Sequence, residues 1–463
     1  MKRIDYAELC DGFYEELLPN GLRVRVLPRP GFARKFAFLA VDFGSNDRDF
    51  TLDGQKYHVP AGIAHYLEHK MFDLPEGGAM EQFAAHGGGN NAFTNYSMTA
   101  YYVECTEEFA ENLKILLRMV TTPYFTPESV EKERGIIAQE IKMYADSPDS
   151  AVFEDLFAVM YPKHPISVPI AGSVESIADI TPELLYACCR AFYTPQNMML
   201  CVVGDVSAEE VARLAREFTP APVPGGVRDE SGWSGAFSCG TMEKTMEVAM
   251  PMFAAGFASD PIAPEASLRA EIVGDLAAEV LVGESSPLYQ RLYEKNLIDS
   301  DFSCGFEQVR GVGLLELSGD SEAPDTVIGA VVDEAERIVR EGVDAAQLER
   351  LRRSMIGRRT RELDSFESTC YRMSAYFFEG AEYFDSVRTI QSVTVQDITD
   401  FLRTVCRRFS YKPFRVRDIF IYIFCAAHLY CCNFYLSHFV FPPMGIRFIV
   451  PMYCLHSSSK LFF

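Results

Sequence analysis

The chain has 463 residues, 48% hydrophobic and 23% charged, with a formal net charge of −22 at pH 7. That length has room for two or three domains and a sizeable core. So acidic a surface argues against nucleic-acid binding and for basic or neutral polypeptide partners. The acids are concentrated early, since the residues after Val405 carry seven Lys/Arg against one Asp. Thirteen cysteines are scattered without a C-x-x-C, and Met1-Lys2-Arg3-Ile4-Asp5 leads into an acidic segment rather than an apolar one. Both features point to a reduced, cytoplasmic setting.

Residues 20–44 alternate apolar and polar around Asn20-Gly21 and a proline-marked break, which predicts paired strands. Ala61–Phe72 (AGIAHYLEHKMF) then reads as a helix carrying His65-Tyr66-Leu67-Glu68-His69. Residues i and i+4 of a helix share a face, so both imidazoles can reach one metal ion. Imidazole suits Zn²⁺, and a catalytic zinc site takes three protein ligands plus an open position. Glu68, on nearly the same face, can take a proton from zinc-bound water, whose pKa the metal lowers to about 7. This H-x-x-E-H is the inverted form of the commoner H-E-x-x-H. The competing reading is a surface helix that happens to carry two histidines.

A helix near Gly78–His86 and the turn Gly87-Gly88-Gly89 follow. Asn90–Cys105 is rich in Thr, Tyr and Phe and reads as strand. If such a zinc site hydrolyses peptides, the free edge of a strand near it can accept an extended substrate as an added strand. Further helices are expected around Glu107–Thr121 and Glu128–Tyr144. In the second, Glu133 and Glu140 lie two turns apart on one face, beside the apolar stripe Val130, Ile137 and Ile141. Glu140 is the expected third zinc ligand. Glu133 is either a carboxylate that orients a ligand histidine or a solvated helix charge.

Helical stretches from Ala151 and near Pro182–Ala191, then the apolar run Met198–Val206, complete a first α+β domain over residues 1–217. Phe218–Gly235 (FTPAPVPGGVRDESGWSG) opens a linker assigned to 218–240. A similar order of strands and helices recurs over 241–405 without a second H-x-x-E-H. Residues 406–463 form an atypical aromatic and apolar tail.

H-x-x-E-H followed about seventy residues later by E-R-x-I-I-x-x-E resembles the pitrilysin/insulinase family of zinc peptidases, which includes the mitochondrial processing peptidase. The phrases VPAGIAHYLEHKMF, GGNNAFTNYSMTAYY and FYTPQNMMLCVVGDV resemble short bacterial members of the YmfH type. The resemblance spans about Asn20 to about Val405. It implies zinc on His65, His69 and Glu140, Glu68 as general base, Glu133 in support, and Asn91 and Ala92 as the substrate-binding edge. It also implies two similar halves, zinc in the first only, closing like a clamshell around a short or unfolded peptide. Pairing is implied too, as a homodimer or with a motif-lacking paralogue. The Arg and Tyr that many members carry after the Leu288-Tyr289-Gln290 segment are missing here, where Tyr293 to Asp299 stands instead.

The tail departs further. Ile419–Ile446 is 28 residues without Asp, Glu, Lys or Arg, long enough to span a bilayer, with Lys412, Arg415 and Arg417 before it. Two histidines, an asparagine and Pro442-Pro443 oppose an anchor. The favoured expectation is a non-family extension that displaces the last strand of the second half. For function, a zinc metalloendopeptidase is expected, against the alternative of a non-catalytic peptide-binding or structural subunit.

Overall fold

The computed structural model describes residues 1–9, 11–409 and the strand Phe420–Phe424. Its strands are β1 (Lys2–Tyr6), β2 (Asp11–Leu17), β3 (Arg23–Pro28), β4 (Lys35–Val41), β5 (Asp49–Leu52), β6 (Gln55–His58), β7 (Gly89–Thr94), β8 (Thr99–Cys105) and β9 (Met198–Gly204). Then come β10 (Val227–Arg228), β11 (Met242–Thr245), β12 (Met252–Ala258), β13 (Ser303–Val309), β14 (Val312–Asp320) and β15 (Phe420–Phe424). They form a seven-stranded sheet ordered β1-β2-β3-β9-β4-β8-β7, a small sheet β10-β5-β6, and a five-stranded sheet β11-β15-β12-β14-β13. With the helices this gives two α/β halves, as the sequence led us to expect.

Two expectations about strands are corrected. β3 and β4 do not pair with each other, because β9 runs parallel to β3 and antiparallel to β4 between them. All seven β9 residues are buried, and only a central position covers such a run on both faces. Asn90–Cys105 is two strands rather than one. Asn95 Oδ1 accepts from the backbone N–H groups of Ser97 (2.9 Å) and Met98 (2.7 Å), which turns the chain back on itself.

The helices that matter for the site are α1 (Ile63–Lys70), α2 (Ala79–Ala85), α3 (Phe109–Thr121), α4 (Pro127–Ala145) and α5 (Pro148–Met160). One face of the first sheet, with Val24, Leu39 and Val202, packs under α1 and α3 through Leu67 and Leu116. Its other face, with Phe36, Phe38 and Cys201, packs against Cys370 and Met373 of the second-half helix Phe366–Phe378. In return, Val152, Leu156 and Met160 of α5 pack on Ala254, Ala258 and Leu314 of the second sheet. Each half thus lends a helix to the other's sheet. Buried apolar side chains of both halves fill these two contacts.

The tail contributes a strand to the second sheet. β15 lies between β11 and β12, parallel to the first and antiparallel to the second. The rest of the apolar run, 419 and 425–446, lies outside the described residues. Among the described residues no helix is long and apolar enough to cross a membrane.

Candidate metal centre

α1 is fixed at its start by close backbone packing. Gly62 caps it at φ 89°, and a Cβ there would stand 2.4 Å from the Ala171 carbonyl. Only glycine tolerates both demands. The Ser176 hydroxyl donates to the Ala61 carbonyl at 2.9 Å, and the Tyr66 hydroxyl donates to the Val130 carbonyl of α4. Lys70, 2% exposed, donates to Asp73 and to the Ser129 carbonyl. These bonds set α1 against α4, which begins with Thr126 as its cap.

The consequence is convergence. His65 Nε2 lies 3.5 Å from Glu140 Oε1, and His69 Nε2 lies 3.4 Å from Glu140 Oε2. One ligand atom from each of the three residues falls within 4.8 Å of the others. Ligands about 2.05 Å from a tetrahedral zinc ion stand roughly 3.3 Å apart, so this set fits the metal. The charge fits as well. Hydrogen bonds with His65 and His69 hold the Glu140 carboxyl far below its usual range, and Tyr144 Oη donates to it at 2.9 Å. Burial works against a charged His69 ring, but Glu133 and Glu140 overcome it and lift the ring to about 10. A cation is what this pocket favours, and a metal can take the place of the proton.

Glu133 contacts His69 on its other ring nitrogen, with Nδ1 3.0 Å from Oε1. Its carboxyl is held low by that bond. The solvated-charge reading of Glu133 does not describe this contact. Glu68 is 8% exposed. Burial raises its pKa, while His65 and the Thr94 hydroxyl, which donates to Oε2 at 2.6 Å, oppose the rise. Thr94 was not foreseen, because nothing local in the sequence links it to residue 68. Tyr144 had a signal, four residues after Glu140 on the same helix.

Asn91 and Ala92 lie on β7, the edge strand of the first sheet. Strand alternation puts Ala92 and Thr94 on the face of Glu68 and Asn91 and Phe93 on the other. Asn91 stands opposite Tyr102, and its Oδ1 accepts from the Ala92 N–H at 2.9 Å. Its side chain therefore faces away from the metal ligands. Two cavities, of about 400 and 520 Å³, are lined by second-half residues alone and are separate from this centre.

Known proteins place the chain. It is 36% identical over 427 residues to the zinc protease YmfH of Bacillus subtilis (strain 168), covering 88% of this chain and 99% of that protein. Residues 55–174 match the family description "Insulinase (Peptidase family M16)", and residues 179–355 match "Peptidase M16 inactive domain". The chain belongs to the M16 family. Among solved M16 structures, an M16-like peptidase from Alicyclobacillus acidocaldarius superposes with a TM-score of 0.83 at 30% identity, over 91% of this chain and 100% of that one. Pitrilysin shares the fold, with a TM-score of 0.69 at 18% identity over 89% of this chain and 44% of its own. In this M16 chain the insulinase match contains His65, Glu68, His69, Glu133 and Glu140 together.

Proposed function

We propose that this chain is a zinc-dependent endopeptidase that cleaves short or unfolded peptides, with His65, His69 and Glu140 as its metal ligands. The observation that carries this reading is the convergence of two imidazole nitrogens and one carboxylate beside the buried Glu68. When bound, zinc supplies Lewis-acid polarisation of the scissile carbonyl and of the attacking water. Glu68 takes a proton from that water and later delivers it to the leaving amine nitrogen. Thr94 orients the carboxylate, and Glu133 holds the His69 Nδ1–H so that Nε2 keeps its lone pair free. The peptide adds as an extended strand to the outer edge of β7, where main-chain hydrogen bonds align it and Ala92 shares the face of Glu68.

Pairing belongs to the same proposal. Ile136, Met143 and Tyr144 of α4 are exposed beside Glu140, an apolar stripe suited to the peptide and to a second subunit closing over it. That subunit would be a second copy or a motif-lacking relative. The test is metal analysis together with cleavage of a quenched fluorescent, unstructured peptide, before and after chelation. Stripping should abolish cleavage and zinc should restore it, while Glu140→Gln should lose zinc and activity together. Full activity in metal-free protein would contradict the proposal.

A further inference from the structure

The second half reaches the turn beside Glu68 with two of its side chains. β13 and β14 are joined by Arg310-Gly311, both at positive φ (41° and 88°), the pattern of a type I′ hairpin turn. Asparagine or glycine is usual at the first position, because a larger side chain there is disfavoured. Arginine occupies it here, and its guanidinium crosses to the first half. Arg310 Nη2 donates to Asp42 Oδ1 at 2.6 Å and to the Ser97 carbonyl at 2.9 Å, with Asp47 Oδ2 at 3.7 Å. Glu230 Oε1 lies 3.8 Å from Nη1. A second tie comes from the helix Phe366–Phe378, where Tyr371 Oη accepts from Asn95 Nδ2 at 3.4 Å.

Both ties land on the four-residue turn Asn95 to Met98. The residue before that turn is Thr94, whose hydroxyl meets Glu68, and the residue after it is Thr99, whose Oγ1 is 3.3 Å from that of Thr94. From the first-half side the turn is wedged by Gly44, where a Cβ would stand 2.4 Å from the Ser97 nitrogen. Among the described strands, β7 is an edge strand whose one ladder partner is β8. The end of β7 therefore depends on its turn for position, and charge-assisted hydrogen bonds are strong enough to hold it.

We infer that Arg310 is a positioning residue. Through Ser97 and the Asn95–Met98 turn it holds Thr94, and Thr94 sets the Glu68 carboxylate. This rests on the reading of Glu68 as general base. It gives the half without zinc ligands a part in the reaction that needs no contact with substrate or metal.

The experiment is a double-mutant cycle. Arg310→Met and Arg310→Lys are made in wild type and in Thr94→Val, with zinc content, kcat, KM and amide exchange over residues 94–99 measured in each. Arg310→Met should keep its zinc and its KM and lose about tenfold to about a hundredfold in kcat, the scale of a small misplacement of a catalytic group. Arg310→Lys should recover part of the loss. In Thr94→Val the further loss should be less than about twofold, because both residues act through one path. Exchange over residues 94–99 should quicken while α1 stays protected. An equal fall in kcat in both backgrounds, or unchanged exchange over 94–99, would overturn the inference and leave Arg310 an ordinary tie between halves. Should Arg310→Met fail to fold, Arg310→Lys decides by the same cycle. Wild type that binds zinc and cleaves nothing overturns the peptidase reading and this inference with it; unchanged exchange in an active enzyme overturns the inference alone.

Discussion

Glu133 shows what one helical turn can and cannot reveal. Its spacing of seven from Glu140 put both carboxylates on one face of α4, but the same spacing suits a solvated charge. Only the tertiary contact at 3.0 Å to His69 Nδ1 separates the two. Removing the carboxylate while keeping the shape, as in Glu133→Gln, should weaken zinc binding by about tenfold to about a hundredfold. A competition titration against a chelator measures it, and unchanged affinity would return Glu133 to the surface. His65, Glu68, His69 and Glu140 were legible because helix periodicity is a strong local rule. Thr94 and Arg310 were not, since each meets its partner across chain separations that no periodicity encodes.

At the scale of elements, strong local patterns placed α1, α4 and β9 to within two residues at each end, and sheet order escaped. An apolar run predicts a buried strand without saying which neighbours cover it, so β9 entering between β3 and β4 could not be read in advance. The hairpin of β7 and β8 was hidden for another reason. Its turn is built by a side chain, Asn95, inside a sequence of uniformly good strand formers. Caps carry their own predictions. His164 opens the short turn Pro165–Ser167, its Nδ1 accepting from the Ile166 N–H at 3.2 Å. Burial depresses its pKa from 6.5 to about 4. An unfolded chain therefore binds the proton first, so stability present above pH 6.5 is lost as pH falls through about 4. Denaturation midpoints followed from pH 7 to pH 4 should fall less steeply in His164→Asn, which keeps a capping oxygen. An identical slope would show that His164 is not the group responsible.

For the whole molecule, the exchange of helices between halves decides what can stand alone. Phe36, Phe38, Met199, Cys201 and Val203 are at most 2% exposed. The face they form is covered by the helix Phe366–Phe378. Uncovering such side chains costs about 1.5–3 kcal/mol each, so five approach the 5–15 kcal/mol that holds a whole domain together. A fragment of residues 1–217 should therefore aggregate or lack a cooperative transition. A monomeric fragment with sharp unfolding would contradict the interlock. The sequence showed two halves through repeated patterning and a Pro/Gly-rich linker, but which helix packs on which sheet depends on contacts some 170 residues apart, such as Cys201 Sγ to Ser374 Oγ at 3.7 Å.

The most direct test of the account pairs zinc stoichiometry with peptide hydrolysis in wild type and Glu68→Gln. The account predicts that both proteins hold one zinc per chain and that only wild type cleaves, with kcat in the variant lower by at least about a hundredfold. Cleavage at the wild-type rate by zinc-loaded Glu68→Gln would contradict it, because the proton transfer assigned to Glu68 would then belong to another group.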